Sequence, residues 1–163
     1  MESREFKPFG SVSALTLGGG GIGNVWGETS KEESIASVHL ALESGIDHLD
    51  VAPMYGKGEA ERVVGEAIKE RSRDSFRLTT KCALGSLPDE EVYDRFNTSL
   101  IRSLDTMGTD YVDLFLLHSQ LVENDHESQK PDSSFVATGN LTTLKSFYDA
   151  VVPAMEALSL IHI

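Results

Sequence analysis

Four short apolar runs alternate with four helical patterns along this chain, and that alternation restricts its fold more than any other feature. Residues 14–18 (ALTLG), 46–51 (IDHLDV), 76–81 (FRLTTK) and 111–118 (YVDLFLLH) read as strands. The last is almost continuously apolar, which suits a strand buried on both faces, as parallel strands are. Between the runs, apolar residues recur at helical spacing. Ser30 and Glu33 form a capping box ahead of Ile35, Val38 and Leu42, and Gly45 stands where a helix ends. Residues 56–70 predict a helix facing inward through Val63, Val64, Ala67 and Ile68. Pro88 and Asp89 open a longer one with Val92, Phe96, Leu100 and Leu104 in a stripe, joined by Tyr93 and Ile101, and Gly108 closes it. A fourth runs over 143–158 through Leu144, Phe147, Val151 and Met155, and Pro153 should kink or divide it. Strand followed by helix, four times over, predicts a parallel α/β sheet. Two architectures satisfy it: an open doubly wound sheet, or half of a (β/α) barrel.

The 163 residues permit one domain with a sizeable core. They are too few for a complete eight-stranded barrel, which takes about 250. The apolar tail SLIHI reads as the start of a further strand, so the expectation is about four β/α units of a larger barrel. Residues 119–142 read as one long polar loop, and the acidic stretch from Glu123 to Asp132 as a solvated face. With 14 Lys and Arg against 26 Asp and Glu, the net charge of −12 argues against a nucleic-acid partner. No run of about 18 apolar residues suggests a membrane span. The N-terminus carries no secretory pattern and the one cysteine, Cys82, has no internal partner, so a reducing, cytoplasmic compartment is expected. Alternation with Lys81 points Cys82 outward under a helix, as a buried structural thiol. His39, His48, His126 and His162 share no metal-ligand spacing, so no metal site is expected.

Gly18 to Gly23 contains a literal G-x-G-x-x-G after a strand. A dinucleotide fold would need the helix to start inside those glycines, so that its N-terminus meets a pyrophosphate. Here the helix signal starts only at Ser30, beyond Asn24, Val25, Trp26 and Gly27. A loop whose backbone approaches a ligand closely is the better reading.

Polar residues stand at successive strand ends: Asp50, then Lys81, then His118, with Tyr55 just past Asp50. In a (β/α) barrel the C-terminal strand ends hold the chemistry. A lysine cation beside a tyrosine favours the phenolate, which makes the hydroxyl a better acid. An aspartate holds the lysine in place, and a histidine can orient a substrate carbonyl. The set suits proton delivery to a carbonyl oxygen as hydride reaches the carbon. Each residue alone also has a plain structural use, as a loop cap, a turn aromatic, a strand exit or a hydrogen-bonded histidine.

At these residues the sequence resembles the aldo-keto reductase family. GIDHLDVAPMYGKGEAERVVGEAI resembles its first signature, LTTK its lysine strand, and SLDTMGTDYVDLFLLHSQ its histidine strand. FKPFGSVS resembles the hairpin beneath the barrel, and Val51 stands where the family commonly has Thr. The resemblance implies an α/β fold of (β/α)8 TIM-barrel type, truncated here to a half barrel of parallel strands over a single incomplete domain, 1–163. It implies reduction of an aldehyde or ketone, or oxidation of an alcohol, with NADPH ahead of NADH. It makes Tyr55 the general acid, with Lys81, Asp50 and His118 completing a tetrad. Gly20, Gly21, Ile22 and Asp50 would meet the cofactor, and Trp26 would wall the substrate pocket. The family's phosphate-binding residues belong to its second half. Two alternatives follow: a silent fragment that binds no cofactor or acts only with a partner half, and a dinucleotide-binding open sheet. Exposed edges of a half barrel favour self-association.

Overall fold

The structure, a computed structural model, describes residues 1–7, 9–85, 87–123 and 140–161. The described chain divides into two compact units, Met1–Thr80 with Arg102–Leu114, and Lys81–Ile101 with Phe115–Ile163.

The first unit opens with an antiparallel hairpin, β1 (Ser3–Phe6) on β2 (Gly10–Ser13). The short β3 (Leu17–Gly18) then pairs in parallel with β4 (His48–Asp50), and β4 with β5 (Arg77–Cys82). Strand order in this sheet is β3-β4-β5-β6, where β6 is Leu114–Leu117. Two helices belong wholly to this unit, α1 (Lys31–Glu43) and α2 (Glu59–Ile68). Leu49, Leu78, Val38, Val63 and Val64 are fully buried there. In α1 the buried residues are Ser34, Val38 and Ala41, whereas the expected Ile35 and Leu42 are only half-buried.

The Ser30 and Glu33 capping box is present in full: the Ser30 hydroxyl accepts from the Glu33 amide, and the Glu33 carboxylate accepts from the Ser30 amide. Those bonds satisfy two donors that a helix start leaves open. Ser30→Ala is therefore expected to cost about 1 kcal/mol, measured as a drop in the urea midpoint with unchanged slope.

The second unit is built around the first part of α3 (Val92–Met107), which a 3₁₀ turn at Asp89–Glu91 precedes. Its stripe is Val92, Phe96, Leu100 and Leu104, all buried, while Tyr93 and Ile101 stand at 38% and 42% exposure instead of joining it. Phe96 meets Phe115 of β6 edge to face at 5.6 Å, a preferred aromatic geometry. β6 is shorter than its apolar run, and Leu116 is 40% exposed, so the strand is not buried on both faces.

Two features here depart from the sequence reading. Both ends of the expected polar loop are strands: β7 (Gln120–Val122) pairs in parallel with β8 (Leu141–Thr143). Residues 124–139, with His126 and most of the acidic stretch, lie outside the described residues. Helix then continues from α4 (Leu144–Ser146) through a π-helical turn at Phe147–Val151 into α5 (Val152–Ser159). Pro153 accounts for the change of winding. It has no N–H to return to the preceding turn, and its ring crowds the carbonyl four residues back. The described part of the tail is not a strand: Leu160 and Ile161 form a turn, and the last two residues of the expected strand lie outside the described ones.

Candidate active site

Residues 19–30 form the loop between β3 and α1, and it contains turns and bends but no helix. The glycines therefore present no helix N-terminus, and the dinucleotide-binding open sheet is removed as a reading. What they do instead is pack. The Gly19 amide donates to the Asp50 carbonyl at 2.7 Å, and the Gly23 amide donates to the Gly19 carbonyl at 3.0 Å. A side chain at Gly19 would meet Val51 Cγ1 at 2.9 Å and Tyr55 Cδ2 at 3.2 Å. The loop is thus pressed against the end of β4 and the ring of Tyr55.

Gly56, directly after Tyr55, has φ +60, and a Cβ there would lie 1.8 Å from the Gly23 carbonyl oxygen. Tyr55 also accepts through its own carbonyl from the Ala60 amide at 3.3 Å, which ties it to the start of α2. The tyrosine is half-buried, as is Asp50. Trp26 is 73% exposed. Its indole lies on Gly20, close enough that a Cβ there would be 2.8 Å from the ring.

Asp50 is the last residue of β4, and Tyr55 follows it in the same unit. Lys81 is the penultimate residue of β5 and buried, and His118 follows β6 directly, both in the second unit. The backbone amide of His118 donates to the Cys82 carbonyl at 2.8 Å. Asp50, Lys81 and His118 therefore stand at or beside strand ends, and Tyr55 lies five residues past one. Gly20 and Ile22 are buried and Gly21 is exposed.

Cys82 is buried, and burial pushes its thiol up from the ordinary range, with Ser99 and Arg95 of α3 lowering it in part. It lies under a helix, as alternation required. Among the described residues no cluster of His, Cys, Asp or Glu could hold a metal ion, and no helix is long and apolar enough to cross a membrane. A groove of about 560 Å³ in the first unit is lined by Arg62, Lys69, Arg71 and Arg73, and includes neither Asp50 nor Tyr55. These four cations are paired with Glu59, Glu66, Glu43 and Asp113, and Lys31 also lines the groove.

One buried ionisable group escaped the sequence reading. Glu61 of α2 is 3% exposed and accepts from the Thr80 hydroxyl at 2.7 Å. Burial raises its carboxyl above the ordinary glutamate value, with Thr80 and Ser103 pulling the other way. A signal for it exists in the sequence: Glu61 lies three and seven residues before Val64 and Ile68, on the inward stripe. Because its folded pKa is raised, the folded state holds the proton more tightly than the unfolded one. Its contribution is complete below the unfolded value and is lost as pH rises through the folded value. Relative to a Glu61→Gln variant, the natural chain should therefore gain stability as pH falls, seen as converging or crossing urea midpoints.

A hairpin, a parallel β/α sheet and polar residues at its C-terminal strand ends define a protein of (β/α)-barrel type. The sequence pattern of the aldo/keto reductase family matches residues 14–160, and the chain belongs to that family. It is 39% identical over 114 residues to the aldo-keto reductase YhdN of Bacillus subtilis, an alignment covering 66% of this chain and 34% of that one. It is 32% identical to the NADH-specific methylglyoxal reductase of Escherichia coli, covering 68% and 38%. A crystal structure of an aldo-keto reductase from Klebsiella pneumoniae in complex with NADPH superposes with a TM-score of 0.69 at 25% identity, over 98% of this chain and 45% of that one. The chain thus spans between a third and a half of the length of these relatives.

Proposed function

We propose that this chain carries the acid–base half of an NAD(P)H-dependent oxidoreductase site that reduces a small aldehyde or ketone, or oxidises the alcohol. Tyr55 is the general acid. Lys81 is the cation that favours its phenolate, Asp50 holds Lys81, and His118 orients the carbonyl oxygen. One observation carries the reading: in a chain of this family, Asp50, Lys81 and His118 each stand at the end of a successive parallel strand, with Tyr55 five residues past Asp50.

The residues fit a nicotinamide cofactor as a contact surface. Gly21 has open space around it, and Asp50 is half-buried at the strand end. Gly20, Gly21, Ile22 and Asp50 would touch it, and Trp26 would border the substrate. When bound, the cofactor supplies the hydride. The protein's step is the proton: as the carbonyl carbon gains hydride, the oxygen takes a proton from Tyr55 Oη, leaving an alcohol and a phenolate that solvent reprotonates. NADPH is the expected cofactor ahead of NADH, and a reducing, cytoplasmic compartment suits the lone buried Cys82.

The partial coverage of the relatives favours a second reading, in which the chain alone is silent and acts only with a partner half, including a second copy through its sheet edges. Titration of the purified chain with NADPH, followed by tyrosine and tryptophan fluorescence, separates the two. A saturable change supports the oxidoreductase reading. No change up to millimolar cofactor removes it for the chain alone.

A further inference from the structure

His48 lies on β4 two residues before Asp50, so the two side chains share a face of the sheet one rung apart. Its Nε2 is 2.7 Å from Thr79 Oγ1 on β5. Its Nδ1 is 3.3 Å from Thr16 Oγ1, just before β3. The same registers pair Asp50 with Gly18 on β3 and with Thr79 on β5. One imidazole thus bridges the two strands that flank Asp50, immediately beneath it.

We infer that His48 is a positioning residue for Asp50: its neutral imidazole clips β3 to β5 through two threonine hydroxyls and fixes the rung on which the Asp50 carboxylate stands. The inference rests on the proposed role of Asp50 in the tetrad. A neutral imidazole has one donor and one acceptor, and hydroxyls can act as either, so both ring tautomers close the bridge. An imidazolium could still donate to both hydroxyls, but it would bring a full positive charge beneath Asp50 and draw the carboxylate toward itself.

The surroundings decide which form is present. Burial holds His48 below the ordinary histidine value, against the pull of Asp50 first, then Asp113 and Asp47, with Arg77 adding to the lowering. Asp47 is held by the Ser13 amide and by Arg77, each at 2.9 Å. Asp113 accepts from Arg73 at 2.5 Å and from the Leu78 amide at 2.8 Å. On the remaining side, Phe6, Phe9 and Val12 of the hairpin segment close an apolar floor with His48 and bring no charge. Asp50 is the carboxylate that acts most strongly on the ring.

The test is an NMR titration of the His48 imidazole in the intact chain and in Asp50→Asn, with turnover and NADPH binding measured for His48→Phe and His48→Gln. Expected are a His48 titration below the ordinary range that moves lower still in Asp50→Asn. Expected also are a fall in turnover of about 10- to 100-fold in His48→Phe, with NADPH affinity changed less than turnover, and substantial recovery in His48→Gln, whose amide can both give and accept. A His48 titration indifferent to Asp50→Asn overturns the inference, as does equal turnover in the Phe and natural forms. The titration needs no turnover, so an indifferent result overturns the inference even where His48→Phe fails to fold or the chain alone is silent. Absence of NADPH binding by the natural chain counts against the proposed function and leaves the titration result standing.

Discussion

Tyr55→Phe is expected to reduce carbonyl turnover by about 10²- to 10⁴-fold while NADPH binding stays nearly intact. The substitution removes one oxygen and keeps the ring. That ring is what the glycine loop packs against, through Tyr55 Cδ2 beside Gly19, and its backbone bond from Ala60 does not involve the hydroxyl. Ring packing and that backbone bond are kept, so the loss reports on the hydroxyl. The measurement is NADPH oxidation with a simple aldehyde, made on the protein that carries this chain, alongside cofactor titration. A variant that retains more than about a tenth of the natural rate would remove Tyr55 from the acid role, because a positioned acid is worth at least about 10²-fold.

The largest stability effect should come from the next residue. Gly56→Ala is expected to cost about 3 kcal/mol or more, in the tail of single-substitution effects. Two costs coincide. The backbone at Gly56 has φ +60, which a side chain disfavours, and the new Cβ would fall 1.8 Å from the Gly23 carbonyl oxygen. Backbone cannot step aside as a flexible side chain would, and Gly23 is itself tied to the Gly19 carbonyl. Thermal melting should drop by about 10 °C for a chain of this size. Gly21→Ala is the matched control: a Cβ there meets nothing within 4 Å, and it should stay within about 0.5 kcal/mol of the natural chain. Equal melting of the two variants would contradict the packing described between residues 19–23 and 55–56.

Much of the fold is legible in local sequence chemistry. The capping box at Ser30, the inward face of α2 and the stop at Gly108 depend on neighbouring residues alone, and each stands where expected. The strands β3, β4 and β5 fall inside their predicted runs or within a residue of them, because apolar runs bounded by turn residues are a local signal too. What escapes such a reading depends on distant partners. β7 and β8 are three-residue pieces of mixed polarity far apart in sequence, and only their pairing makes them strands. Leu116 has the apolar character of a buried residue, but a side chain's preference does not supply a neighbour to cover it. Glu61 needs Thr80, nineteen residues on, to explain a carboxyl on an apolar stripe. Among the candidate site residues, Asp50, Lys81 and His118 are legible as strand-end positions. The support given to Tyr55 by the glycines is not, because a run of four glycines carries no periodicity to interpret.

The glycine loop has a consequence for how such a site could diversify. Its two flanks are under opposite constraints. On one flank, a methyl group at Gly19 or Gly23 would stand 2.9 to 3.2 Å from its neighbours, Tyr55 among them at both, so a replacement there would press on the tyrosine. On the other, Val25 and Trp26 are exposed at 41% and 73% and can be exchanged at little structural cost. A mutational library across residues 19–27 should therefore segregate sharply. Survivors would keep the inner glycines and vary the outer pair, so that the exposed rim drifts while Tyr55 stays in register.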